Sequence, residues 1–315
     1  MEQHAFLRAL WEEIRNKLGS ELPNWEDRII KLKQVIAVER RLRGETWSDP
    51  QVFEALLRAL LSGNIDWSNV AKVQDDLQQM FCNFDFHRYA NLEDADIHKI
   101  AEWLKTKKAG APQQRIQLRK FRETCRKLVG LRAESKSAES YFLGLVRSCG
   151  DDPVEAAIQL GTPGQYKLPG FGVPLAAEAL RNLGFDIAKP DRHILRAVAN
   201  FGLVQFPENR RRGKSARSQT CSEKAHPASS SAADTGRTSD YAAPSNSNPA
   251  KCREIMIAVA DFARAVGEKV VFVFVDNAIW LLCAREGPCG GAHLKNSELQ
   301  DLAARARMRA QSAPC

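Results

Sequence analysis

The sequence predicts an all-α protein with one disordered insert. Over most of the 315 residues, apolar side chains recur at helical spacing with charged residues between them. Residues 270–275 are rich in valine, which favours a strand, but no partner strand is evident, so a buried helix over residues 269–284 is the better interpretation. A glycine turn at residues 168–172 leads directly into an apolar helical segment. These observations favour helices packed on helices.

The same spacing predicts the helices in chain order. The segment at residues 50–62 has a clear start signal, because Ser48, Asp49 and Pro50 precede it in the manner of an N-cap. The predicted helices are residues 4–18, 24–43, 50–62, 66–81, 94–105, 113–129, 138–148, 153–159, 173–183, 192–201, 253–266, 269–284 and 296–311.

Residues 208–251 differ from the rest of the chain. They contain no Leu, Ile, Val, Phe, Met or Trp and are rich in Ser, Ala, Arg and Pro. Such a segment buries too little apolar surface to offset its conformational entropy, so we expect a disordered insert. Its basic start, residues 210–214, either attracts DNA non-specifically or is a solvated linker.

Composition restricts the partners and the compartment. The net charge is +8 and the isoelectric point about 9.1, which favours an anionic partner. The absence of a long apolar stretch and of a signal-peptide pattern leads us to expect no membrane partner and an intracellular protein, in the cytoplasm or nucleoid of a bacterium or the nucleus of a eukaryote.

The eight cysteines do not predict a metal centre. None forms a C-x2-C pair, and their spacing fits no iron–sulfur cluster. Cys283, Cys289 and His293 are close in sequence, which leaves zinc as an alternative, although the spacing is not a standard zinc pattern. We expect reduced, mostly buried thiols, no metal and no cofactor.

The glycine turn predicts an anion site. Gly170 and Gly172 lack the Cβ atoms that would prevent a close backbone approach, and their amides precede the helix over residues 173–183, with Glu178 and Arg181 on its polar side. No Gly-Lys-Ser/Thr follows, so a nucleic-acid phosphate is a better ligand than a nucleotide. An ordinary corner between two helices is the alternative.

A basic helix precedes this turn. Residues 104–127 contain nine Lys or Arg, including Arg119 and Lys120, and a single acidic residue, Glu123. Apolar side chains between them predict one buried stripe and one basic face. Beside a phosphate-binding turn we interpret this face as a DNA-binding surface rather than a solvated one.

Asp191 begins another predicted helix. It follows Pro190 and precedes apolar residues at helical spacing, so its simplest role is an N-cap. A helix N-terminus also keeps an aspartate ionised, and such a carboxylate can stabilise positive charge on a sugar carbon or activate a water molecule.

The turn Leu168-Pro169-Gly170-Phe171-Gly172, with Asp191 nineteen residues after Gly172, resembles the helix-hairpin-helix DNA glycosylase superfamily, the endonuclease III-like base-excision repair fold. The resemblance covers roughly residues 50–205, with a weaker similarity over 253–285. It implies that Asp191 is the catalytic aspartate and that Gly170 and Gly172 hold a DNA phosphate. It also implies that Asn64 fills the gap left by an extruded base.

Pro174 departs from the family pattern. Relatives that also cleave the DNA backbone have a Schiff-base lysine at this position, and proline has no amine to form the imine. The resemblance therefore implies a monofunctional glycosylase without an iron–sulfur cluster. A glycosylase/lyase that uses Lys167 or Lys189, acting on oxidised or mismatched bases, and a non-catalytic DNA-binding protein are the alternatives.

The expected architecture has two lobes. Residues 50–186 form a helical bundle that ends in the hairpin, and residues 1–49 with 187–315 form the other lobe. We expect a monomer that binds double-stranded DNA and flips a damaged base into the cleft between the lobes. The base-pocket candidates are Trp67, Asp66, Trp280 and Asn277, and an alkylated, cationic purine suits an aromatic pocket.

Overall fold

The computed structural model describes residues 2–63, 67–131, 137–205, 248–267, 271–285 and 290–312. Within these ranges all regular structure is helical and no strand occurs, which confirms the all-α class. None of the described helices is both long enough and apolar enough to cross a membrane. The α-helices are α1 (Glu2–Glu21), α2 (Trp25–Lys31), α3 (Gln34–Leu42), α4 (Asp49–Leu61), α5 (Trp67–Lys72), α6 (Gln74–Met80), α7 (Phe86–Ala90), α8 (Asp94–Thr106), α9 (Gln114–Leu131), α10 (Ala138–Ser148), α11 (Pro153–Gly161), α12 (Val173–Asn182), α13 (Arg192–Phe201), α14 (Pro249–Val266), α15 (Phe272–Cys283) and α16 (Asn296–Ser312).

Some predicted helices are divided or were missed. Residues 24–43 form α2 and α3, because Lys33 between them has a left-handed backbone with φ of 66°. Residues 66–81 contain α5 and α6. The short helix α7 was not predicted, and its N-cap Asp85 accepts hydrogen bonds from two backbone amides.

The end of the predicted insert is also corrected. Helix α14 begins at Pro249, so residues 249–251 are helical rather than disordered. Asn248 is the N-cap, and its side chain accepts hydrogen bonds from the amides of Ala250 and Lys251. Residues 208–247 of the predicted insert lie outside the described residues.

The valine-rich segment is a buried helix, as predicted. Helix α15 runs from Phe272 to Cys283, and most of its side chains are buried. Its first amides are capped from another part of the chain, because the Asp186 carboxylate accepts hydrogen bonds from Phe272 (3.1 Å) and Val273 (3.0 Å). This external cap, together with burial, overrides the strand preference of the valines.

Two groups of helices share one continuous hydrophobic core. Helices α1, α13, α14, α15 and α16 pack on one another, and α4, α7, α8, α9 and α10 form a second group of neighbours. Helix α12 contacts α4 in the second group and α14 in the first. It therefore lies between the groups, while the division into two lobes stays a prediction.

Candidate active site

The loop between α11 and α12 contains a tight turn at the predicted position. The amide of Phe171 donates to the carbonyl oxygen of Leu168 at 3.1 Å, and Gly170 has a φ of 85°. Pro169 before this glycine completes the signature of a type II turn, in which the third residue needs a positive φ. Phe171 is buried, with its ring 6.4 Å from that of Phe121 on α9. The turn is thus anchored on α9.

The turn presents unpaired backbone donors. Among the described residues, the amides of Gly170 and Gly172 have no hydrogen-bond partner. Gly172 is exposed and is the N-cap of α12, so its amide lies at the positive end of that helix. Free amides at a helix N-terminus suit an anion such as a phosphate.

Helix α9 supports the hairpin through three polar contacts. The hydroxyl of Thr124 donates to the carbonyl oxygen of Pro169 at 2.8 Å. The ammonium of Lys127 donates to the carbonyl oxygens of Gln165 at 2.6 Å and Lys167 at 3.0 Å. Part of the predicted basic face is therefore occupied in holding the loop.

Arg119 and Lys120 have different surroundings. The guanidinium of Arg119 lies 2.6 Å from Asp94, whose pKa is lowered by a hydrogen bond from Arg122 and by the charge of Arg119. Lys120 is exposed and forms no ion pair with the described residues. It lies against the turn, because a Cβ atom built on Gly170 would be 3.0 Å from the Cβ atom of Lys120. Lys120 therefore has the freer charge beside the unpaired amides.

Lys167, one of the two lysines considered for lyase chemistry, caps the hairpin. Its ammonium donates to the carbonyl oxygen of Gly161 at 2.6 Å and to that of Phe171. Burial lowers its pKa, and the nearby charge of Lys120 acts in the same direction. Its amine is used in closing the loop.

Asp191 is the N-cap of α13, as predicted. Its Oδ1 atom accepts hydrogen bonds from the amides of His193 (2.8 Å) and Ile194 (3.1 Å). Its Oδ2 atom faces the ammonium of Lys189 at 3.9 Å, and the side chain keeps 16% of its surface exposed. One oxygen is thus fixed by the helix, and the other is available to a ligand.

Lys189 joins Asp191 to α12 and to the end of α4. Its ammonium is 3.1 Å from the hydroxyl of Ser62, which follows α4, and 3.5 Å from the carboxylate of Glu178 on α12. Its backbone amide donates to Asp276 on α15 at 3.0 Å. The end of α4 and helix α12, which are more than a hundred residues apart in the sequence, therefore meet beside Asp191.

A buried polar network on α3, α12 and α15 lies next to Lys189 and Asp191. Arg181 on α12 is ion-paired with Asp276, hydrogen-bonds to Asn277, and donates to the side-chain oxygen of Gln34 at 2.6 Å. The amide of Gln34 donates to Glu178 at 2.9 Å. Glu178 and Arg181, which the sequence placed on the polar side of α12, are both buried, and this side faces polar partners on α3 and α15.

Burial and neighbouring charges shift the pKa values of the two carboxyl groups in this network, Asp276 and Glu178, in different directions. Burial raises the pKa of Asp276 to about 6, although Arg181 favours the ionised form. Burial also acts to raise the pKa of Glu178, but the charges of Lys189 and Arg181 outweigh it and leave that pKa below its ordinary value. Three carboxylates and two cations meet here, so the cluster with Asp191 carries an excess of negative charge at neutral pH.

Of the four base-pocket candidates, the structure describes the side chains of Asn277 and Trp280. Asn277 is 1% exposed and is held by Arg181, so it belongs to the buried network. Trp280 is half-buried, with its ring 6.3 Å from that of His193, two residues after Asp191. Asp66 and Asn64 lie outside the described residues, and so does the side chain of Trp67.

The described cysteines are free thiols. Cys125, Cys252 and Cys283 are buried, and Cys82 and Cys149 are half-buried. Among the described residues, no three His, Cys, Asp or Glu side chains are grouped closely enough to hold a metal ion. Cys289, part of the zinc alternative, lies outside those residues.

No protein-family model, curated protein or solved structure matches this chain. Neither the role of Ser62 nor the contact between Glu178 and Lys189 was predicted from the sequence. A signal was available in the Asp276-Asn277 pair, which interrupts an otherwise apolar helix and so indicates buried polar partners.

Proposed function

We propose that this protein is a DNA glycosylase that hydrolyses the N-glycosidic bond of a damaged base, flipped out of duplex DNA, without cutting the strand. The observation that supports it most is the arrangement of Asp191. One carboxylate oxygen is held by two helix amides, and the other is open beside Lys189. An ionised carboxylate in this position stabilises the positive charge that develops on the sugar as the base leaves.

The hairpin supplies the matching DNA contact. The unpaired amides of Gly170 and Gly172 would hold a backbone phosphate, with the charge of Lys120 beside them. Helix α12 starts at these amides and carries Glu178, six residues after Gly172 or about 9 Å along the helix axis. Glu178 contacts Lys189, which faces Asp191. A phosphate on the hairpin would therefore place a neighbouring sugar within reach of the carboxylate.

The test is Asp191→Asn on duplexes that each carry one damaged base. Asparagine is also a good N-cap, so the variant keeps the helix while it removes the charge. We expect base release to fall by at least about 100-fold, with DNA affinity retained. Asp85→Asn is the matched control, because Asp85 caps α7 through the same two hydrogen bonds, at 2.8 and 3.1 Å. Full activity of Asp191→Asn would contradict the proposal.

One observation favours the glycosylase/lyase alternative. The ammonium of Lys189 lies next to Asp191, where an amine could attack the sugar carbon. The ammonium is held by the Ser62 hydroxyl and by Glu178, so we expect no covalent adduct. Borohydride trapping distinguishes the two, since a covalent protein–DNA product that is lost in Lys189→Arg would establish the lyase. A non-catalytic protein would bind these duplexes and release no base.

A further inference from the structure

The ammonium of Lys189 has a free donor next to the reacting position. It donates one hydrogen bond to the Ser62 hydroxyl at 3.1 Å, and it is ion-paired with the Glu178 carboxylate at 3.5 Å. An ammonium has three N–H groups, so these two contacts occupy at most two of them. The 3.9 Å separation from Asp191 is too long for a hydrogen bond. One N–H group is therefore left for a ligand beside the open oxygen of Asp191.

The side chain of Lys189 is largely buried. Only 13% of its side chain is exposed, and Glu178, its anchor, is itself buried and held by Gln34. Its backbone amide is fixed by Asp276. The position of the ammonium relative to Asp191 is thus set by three helices, which a general acid requires.

We propose that Lys189 is the general acid for the leaving base, and that the protein therefore acts on neutral bases rather than on cationic alkylated ones. This inference rests on the proposed glycosylase function. A neutral base leaves with the electron pair of the broken bond and needs a proton. A cationic base needs none, and an ammonium in contact with it would repel it.

The atoms balance in a single hydrolysis. The bond between the sugar C1′ and the base nitrogen breaks, its electron pair stays on the base, and Lys189 donates a proton to the base. A water molecule adds its oxygen to C1′ and loses a proton to Asp191. Asp191 then releases a proton and Lys189 takes one up, both by exchange with solvent, so that one water molecule is consumed.

The test compares two classes of substrate in single turnovers. Duplexes with a single uracil or hypoxanthine represent neutral bases, and a duplex with 7-methylguanine represents cationic ones. We expect the wild-type protein to release a neutral base. In Lys189→Met the ratio of the neutral-base rate to the cationic-base rate should fall by about 100-fold. Lys99→Met is the matched control, since Lys99 is exposed on α8 and pairs only locally with Asp96.

Lys189→Arg separates the loss of the acid from the loss of the fold. Arginine keeps the positive charge beside Glu178, but it cannot give up a proton. We expect it to bind DNA like the wild type and to release neutral bases slowly. An equal loss on both classes would mean a structural or phosphate-binding role and would overturn the inference. So would a wild-type protein that releases only the cationic base. A wild-type protein that releases neither class would overturn the proposed function itself.

Discussion

The protonation of Asp276 affects the stability of the site. It is fully buried between Arg181 and the backbone amide of Lys189, and its pKa is raised to about 6. The folded protein therefore binds this proton more tightly than the unfolded chain does, where an aspartate titrates near pH 3.9. Between about pH 4 and 6 the contribution of Asp276 to stability falls as the pH rises, and above that range it is constant.

The variant Asp276→Asn removes this titration. We expect the difference in the free energy of unfolding, wild type minus variant, to fall by up to about 1.4 kcal/mol per pH unit between pH 4 and 6. Urea unfolding of both proteins at pH 4, 5, 6 and 7 measures it. A difference that stays flat or rises over this range would show that the ion pair with Arg181 dominates over burial.

At the scale of elements, the contact between α11 and α12 determines how the hairpin is held. A Cβ built on Gly161, at the end of α11, would lie 2.5 Å from the Cα atom of Val173 at the start of α12. Backbone atoms cannot move away as a flexible side chain can. The two helices of the hairpin therefore approach as closely as they do only because residue 161 is glycine.

We expect Gly161→Ala to destabilise the protein by about 1–3 kcal/mol, through backbone shifts at this contact. Gly144→Ala is the matched control, because Gly144 is exposed in α10 and a Cβ there would meet nothing within 4 Å. That control should gain up to about 1 kcal/mol from the better helix propensity of alanine. Thermal unfolding of both variants measures the effect, and equal changes would contradict the close-packing argument.

At the scale of the whole molecule, the excess of positive charge is not equally available for DNA. Arg119 is paired with Asp94, and Lys127 is bound to carbonyl oxygens of the hairpin loop, whereas Lys120 is unpaired beside Gly170. Net charge alone does not separate these cases. Under the proposed function, an unpaired lysine beside the hairpin amides makes this part of the described surface a site for the duplex.

Lys120→Ala should therefore reduce the salt dependence of binding to an undamaged duplex. We expect the slope of log affinity against log salt to decrease by about 0.9, the value for one lost phosphate contact. Arg15→Ala, on α1, removes the same charge from a residue that contacts only Glu26 among the described ion pairs and should leave the slope unchanged. Fluorescence anisotropy over a salt series measures both. Equal slopes for the two variants would mean that the duplex does not bind at the hairpin.

The amino-acid sequence alone predicted the parts that depend on local interactions. Helical periodicity identified most of the helices, Pro169 and Gly170 indicated the turn, and Asp191 was recognisable as a cap, because each signal lies within a few neighbouring residues. The breaks between α2 and α3 and within residues 66–81 were not predicted from the sequence, since apolar spacing continues across them.

Only the tertiary structure decided the surroundings of Asp191. Lys189 is only two residues from Asp191, but Ser62, Glu178 and Asp276, which hold it, come from three other parts of the chain, and no local pattern relates them. Their association follows from the packing of α4, α12 and α15, which buries polar groups that must then find partners. The sequence therefore determined that a capped carboxylate follows a glycine hairpin, and tertiary packing decided that a fixed ammonium faces it.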